Sequence, residues 1–119
     1  MAKILIISAL KSETKQLIKL LKNFAENKQT NVYNYKSNEL ILVNSGVGKL
    51  NAAFSCAQAI AKYSPDLVLN IGAAGALTSK LPIGALITTN FSRQADTLSI
   101  LNSNKLYIDF DKNAEIQTT

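Results

Sequence analysis

The sequence predicts an α/β domain with a largely parallel, twisted sheet and flanking helices, and three observations carry that reading. "KILIISA" (residues 3–9) and "DLVLNIG" (66–72) are nearly continuous apolar runs, as in strands covered on both faces. Segments of helical apolar spacing alternate with such runs, in the order strand, helix, two strands, helix, strand, strand. Small-residue turns, Gly46-Val47-Gly48 and Gly72-Ala73-Ala74-Gly75, stand where predicted strands end.

The first run has the outline of a secretion signal, but Lys11 closes it early and no small-residue cleavage pattern follows. A buried strand is the better account. Ser12 is expected to cap the helix after it, where Leu17, Leu20, Leu21 and Phe24 fall at i, i+3, i+4 and i+7. Lys11, Lys15, Lys19 and Lys22 recur on the opposite side, as on a solvated face. "VYNYK" and "ELILVN" flank Ser37-Asn38, the expected hairpin turn. "SGVGK" leads into a second helix with a stripe of Leu50, Ala53, Phe54, Ala57 and Ile60, stopped by Ser64-Pro65. "DLVLNIG" is the next buried strand and "GALITTN" (84–90) the one after. From Phe91 onward the chain is more polar, with "KLYIDF" as a possible strand.

The 119 residues are expected to form one domain, and 47% hydrophobic with 18% charged residues is ordinary for a soluble protein. No run approaches the ~18 apolar residues of a membrane span, so no membrane association and a cytoplasmic location are expected. A net charge of +5 and a pI near 9.4 raise nucleic-acid binding, but the lysines are scattered and Arg93 is the sole arginine. Nucleic acid is therefore not expected as a partner. Cys56, the single cysteine, sits in an apolar helical pattern and reads as a buried, inert thiol. Histidine is absent, which excludes a histidine-based triad, and with one cysteine no zinc site is expected. No metal or other cofactor is called for.

In open parallel sheets, ligands bind beyond the carboxyl ends of the strands, where amides and helix N-termini converge. The two glycine turns and "SALKSE" put three sets of small residues on that rim. Gly46-x-Gly48 meets Asn51 at the third position of a dinucleotide fingerprint, and Lys49 lacks the earlier glycine of a phosphate loop. Each turn alone reads as a tight connection; together they raise a ligand site. Glu13, in the first turn of a helix just beyond a strand end, is the carboxylate best placed for chemistry, since the helix dipole favours its ionised form. From position alone, the better account is that it only complements that helix end. Asp109 and Asp111 read as surface residues.

"ILIISALKSE", "LVNSGVGKLNAA" and "PDLVLNIGAAGAL…LPIGALITTN", in that order and spacing, resemble the purine nucleoside phosphorylase/nucleosidase superfamily, and within it the methylthioadenosine/S-adenosylhomocysteine nucleosidase branch. The resemblance covers most of residues 3–90 and implies the N-terminal half of that fold. Phosphorylases of the superfamily typically grip phosphate with arginines at places where this sequence has "SALKSE" and Asn70, so the resemblance implies the water-using branch. It gives Glu13 the role of the glutamate that orients the attacking water. Ala9 and Val47 match the lining of the nucleoside pocket, and Ala73, Ala74 and Gly75 match the turn beside ribose and base. Ala73 stands where the nucleosidases usually have a small hydroxyl residue.

The implied reaction is hydrolysis of a purine nucleoside's N-glycosidic bond. The glutamate that holds the ribose and the aspartic acid that protonates the base would lie in a further, roughly equal length of the family's chain; Asp96 is near the end of the match. The expected partners are a purine nucleoside and either a second copy or a chain supplying the rest. A non-catalytic remnant that binds a nucleoside or a partner chain is the alternative.

Overall fold

The computed structural model describes residues 1–24, 26–29, 31–89 and 117–118, in two units, residues 1–75 and 76–119. In the first unit, strands β1 (Lys3–Ser8), β2 (Glu26–Gln29), β3 (Val32–Tyr35), β4 (Asn38–Asn44) and β5 (Leu67–Asn70) form one sheet in the order β2-β3-β4-β1-β5. Helices α1 (Lys11–Phe24) and α2 (Lys49–Tyr63) follow β1 and β4. β1 runs parallel to both neighbours, with Ile4 opposite Leu40 on one side and Leu67 on the other. β2, β3 and β4 form an antiparallel meander. The α/β class holds, and the parallel part of the sheet is β4-β1-β5.

The continuous apolar run of β1 follows from its place between two layers. Leu5 packs with Val32, Ile41 and Ala59 of α2, while the alternate Ile6 packs with Leu21 of α1, Tyr33 and Leu42. Each such side chain, fully buried, gains about 1.5–3 kcal/mol over exposure. A strand with helices on both faces has no side left for polar residues.

Several expectations about these elements need correction. α1 begins at Lys11, so Ser12 lies inside its first turn rather than capping it. Its sheet-facing stripe is Thr14, Leu17, Ile18 and Leu21; Leu20 is more than half exposed, and the side chain of Phe24 lies outside the described residues. The lysine face at 11, 15, 19 and 22 is exposed as expected. The hairpin turn falls one residue early, at Lys36-Ser37, because Asn38 pairs with Tyr35 and its Oδ1 accepts the Ala2 N–H. Lys36 takes the positive φ of 54° that this turn requires.

α2 turns a different face to the sheet than its bulky stripe suggests. Ala59 is buried with Cys56 and Tyr63 half-buried beside it, whereas Leu50, Ala53, Phe54, Ala57 and Ile60 are exposed. A small residue at the contact lets the helix lie close to the strands. β5, expected as a buried strand, is exposed along its length; among the described residues it pairs with β1 and stands at the end of the sheet. Ser64 does end α2, in the left-handed conformation with its N–H on the Ile60 carbonyl.

In the second unit, the expected strand 84–90 is reduced to β6 (Ile87–Thr88), paired antiparallel with β7 (Gln117–Thr118) in a sheet of its own. "KLYIDF", Asn90, Asp96, Asp109 and Asp111 lie outside the described residues.

Candidate functional site

The carboxyl ends of β4, β1 and β5 lie side by side because their ladders continue past the strands. Ser45 N–H donates to the Ser8 carbonyl (2.8 Å), Gly46 N–H to the Ala9 carbonyl (3.1 Å) and Ile71 N–H to the Ile7 carbonyl (2.9 Å). The three small-residue segments thus share one rim. Gly46 and Gly48 sit at φ of 83° and 103°, where a side chain would be strained. Gly48 is also the residue from which α2 starts, with no side-chain cap of its own. Asn51 steadies this loop by donating from Nδ2 to the Val47 carbonyl at 2.7 Å.

Glu13 joins the first of these segments to the third. Its N–H donates to the Leu10 carbonyl (3.1 Å), while its Oε2 accepts the Leu10 N–H (2.8 Å). That is the side-chain half of a capping box, with the glutamate three residues into the helix. The other oxygen, Oε1, accepts the Ala73 N–H at 3.1 Å, sixty residues along the chain. The Leu10 and Ala73 amides, with a smaller contribution from Ala9, hold the carboxyl below its ordinary value of 4.5, although partial burial acts the other way. Glu13 is therefore a fixed anion at neutral pH. A carboxylate has about four lone-pair positions, and the two amides occupy two of them. The rest can accept a proton of a water molecule or face developing positive charge. A carboxyl shifted in that direction is unsuited to donating a proton near neutrality.

Beside the turn that carries Glu13 lies a polar cluster that sequence reasoning missed, built on buried Ser8 and Thr14 and the exposed Asn44. Asn44, at the end of β4, donates from Nδ2 to Ser8 Oγ (2.7 Å) and Thr14 Oγ1 (3.2 Å), with the Leu10 carbonyl at 3.3 Å. Ser8 and Thr14 are almost wholly buried, at 1% and 0% exposure. Their hydroxyls donate in turn to the carbonyls of Leu10 and Lys11. The cluster ties β4 to the turn from which Glu13 projects. The signal for it was the parallel register, which sets Ser8 opposite Asn44.

Of the residues singled out from the sequence, Glu13 and Ala73 are in direct contact and Ala9 borders the Gly46 loop. Ala73, Ala74 and Gly75 are exposed, and Val47 is 67% exposed, so among the described residues of the first unit they line an open rim. Two surface hollows lie elsewhere, one lined by Val43, Ser55, Ala59 and Tyr63, the other on the lysine face of α1. Cys56 is a half-buried free thiol. Among the described residues there is no cluster of three or more potential metal ligands, and no helix is long and apolar enough to cross a membrane.

Comparison with known proteins matches this architecture. Residues 3–99 fit the profile of the Phosphorylase superfamily. A 5'-methylthioadenosine/S-adenosylhomocysteine nucleosidase from Buchnera aphidicola is 39% identical over 90 residues, 71% of this chain and 38% of that protein. One from Staphylococcus aureus is 35% identical over 89 residues, 71% and 39% of the two chains. The crystal structure of the Streptococcus pyogenes S-adenosylhomocysteine nucleosidase, in complex with 5-methylthiotubericidin, superposes with a TM-score of 0.61 at 33% identity, over 72% of this chain and 39% of that one. The Neisseria meningitidis 5'-methylthioadenosine/S-adenosylhomocysteine nucleosidase, with methylthio-immucillin-A, gives 0.67 at 25% identity, over 83% and 45%. The chain spans about two fifths of the length of the relatives it matches. On sequence and fold alike, it belongs to the Phosphorylase superfamily and corresponds to the N-terminal part of its methylthioadenosine/S-adenosylhomocysteine nucleosidases.

Proposed function

We propose that this chain provides the water-orienting side of a purine-nucleoside N-glycosidic hydrolase, acting on methylthioadenosine or S-adenosylhomocysteine. The observation that carries the reading is the Glu13 carboxylate, ionised and held between the ends of β1 and β5. Cleavage of the glycosidic bond develops positive charge on the sugar, which a fixed carboxylate offsets while it orients the attacking water. Ala9, Val47 and the Ala73–Gly75 backbone are the proposed wall for the nucleoside, because a flat base needs apolar sides and a few backbone partners.

Turnover by the isolated chain should be very low. The departing purine needs a proton, and Glu13 is the wrong acid for that. Among the described residues the other acidic ones, Glu26, Glu39 and Asp66, stand at the starts of β2, β4 and β5, at the opposite end of the sheet. General acid catalysis typically contributes 10²–10⁴-fold, and ribose positioning adds a further large factor. The combined deficit is on the order of four or more powers of ten.

Two measurements test the proposal together: titration calorimetry with methylthioadenosine, and adenine release by the purified chain and by Glu13→Gln. Weak binding with equal trace release from both proteins is expected. Absence of binding at millimolar ligand would discard the nucleoside site. Robust turnover abolished in Glu13→Gln would show that the chain holds its own acid.

The exposed apolar side chains of α2 and β5, among them Leu50, Phe54 and Leu67, support association with a second copy or with a chain supplying the rest. A monodisperse monomer in light scattering at high concentration would overturn that part. A cytoplasmic location goes with this reading, and fractionation of cells expressing the chain checks it.

A further inference from the structure

We propose that Gly72 is a positioning residue for Glu13: the bare backbone at this position admits the carboxylate to the Ala73 N–H and thereby fixes which of its lone pairs face the rim. The small residues after β5 invite the idea that a ligand alone requires them. At Gly75 an added Cβ would meet nothing within 4 Å among the described residues. At Gly72 it would lie 3.0 Å from Glu13 Oε1, 3.5 Å from Cδ and 3.8 Å from Oε2, and these are its three nearest neighbours. What comes close to the backbone here is the protein's own carboxylate.

The requirement is one of space rather than of backbone conformation. The positive-φ glycines are Gly46, Gly48 and Gly84, and Gly72 is not among them. Alanine can therefore adopt the backbone of Gly72 without the left-handed penalty. Its methyl group would instead push Oε1 away by a few tenths of an ångström. The Ala73 N–H···Oε1 bond, at 3.1 Å, is already near the long end of the useful range, so a displacement away from the amide weakens it. The Leu10 N–H···Oε2 bond is shorter, at 2.8 Å, and local to α1, so it survives. Gly72→Ala thus separates the two anchors: Glu13 stays a cap of α1 and loosens its hold on the β5 turn. The functional meaning of this role rests on the reading of Glu13 as the water-orienting group; the geometry does not.

The test is nuclear magnetic resonance on the full chain, following the Glu13 carboxyl carbon and the Leu10 and Ala73 amides as pH is lowered. In the wild type both amide protons should titrate with the Glu13 midpoint, which lies below 4.5. In Gly72→Ala the midpoint should move up toward the ordinary value, the Ala73 amide should respond to it more weakly, and the Leu10 amide should continue to titrate with it. A wild-type Ala73 amide indifferent to Glu13 overturns the proposal, and this arm decides alone should the variant not fold. So does a folded Gly72→Ala with an unchanged midpoint and an unchanged Ala73 response. None of these signals depends on a nucleoside. Coupled titration in a chain that neither binds methylthioadenosine nor releases adenine would leave Gly72 positioning Glu13 while the proposed function fell.

Discussion

Replacing Asn44 with alanine should loosen the floor of the rim, and the structure sets the size of the loss. Its Nδ2 carries two hydrogens and has three acceptors in reach, the nearest being Ser8 Oγ at 2.7 Å and Thr14 Oγ1 at 3.2 Å. Two hydrogen bonds therefore disappear, at about 0.5–1.5 kcal/mol each. Both stranded hydroxyls are buried, but each keeps the bond it donates, to the Leu10 and Lys11 carbonyls. The full penalty of an orphaned buried group does not apply, and the total comes to about 1–3 kcal/mol. Taking ~2 kcal/mol, the melting temperature falls by roughly 8–16 °C for a domain of this size. Urea unfolding and thermal melts of Asn44→Ala, Ser8→Ala and the double variant are the assay. Because the two residues share a bond, the double variant should lose less than the sum of the singles, by about 0.5–1.5 kcal/mol. A loss under ~0.5 kcal/mol for Asn44→Ala, or strict additivity with Ser8→Ala, would refute the reasoning.

Acid should weaken the rim before it unfolds the core: with the Glu13 pKa lowered in the folded state, its contribution is complete above about 4.5 and is lost as pH falls through the folded value. Amide exchange at Ala73, extrapolated for the intrinsic pH effect, should show that loss, and Glu13→Gln should remove the pH dependence. Gly48→Ala should cost about 1–3 kcal/mol in urea unfolding, although nothing lies within 4 Å of the added carbon, because φ of 103° with ψ of 152° is open to glycine alone.

The parallel core of the fold was legible because β1 writes burial on both faces directly into an apolar run, although the similar run of β5 is exposed. The rim was legible for a related reason, since strand ends that carry glycine and alanine stand out against such runs. α2 was misread because it is apolar on two sides: bulk favours the stripe of Leu50 and Phe54, while close packing selects Ala59. β2 left no trace at all, as "ENKQ" has no alternation and joins the sheet through backbone pairing with β3. Asn44 could not be found by inspection of its neighbours in sequence. Its role arises from a register that brings it opposite a serine thirty-six residues earlier. Glu13 was found from its place at a helix start, but its second anchor, Ala73, needed the three-dimensional structure.

The central position of β1 also orders the assembly of the sheet in time. It precedes both partners, with Ile4 paired to Leu40 and to Leu67, so neither contact is local. Closing the longer of these loops costs only about 0.5 kcal/mol more than the shorter, so chain entropy scarcely chooses between them. Burial does choose: docking β1 on β4 sequesters Leu5, Ile41 and Leu42, whereas β5 remains exposed after docking. The β2–β4 meander, whose pairings are local, can form early and offer β1 an edge. β5, exposed and paired with β1 at one end of the described sheet, has little burial to hold it against local opening. The Ala73 side of the rim therefore rides on an exposed strand, and the carboxylate of Glu13 is a clasp across that seam.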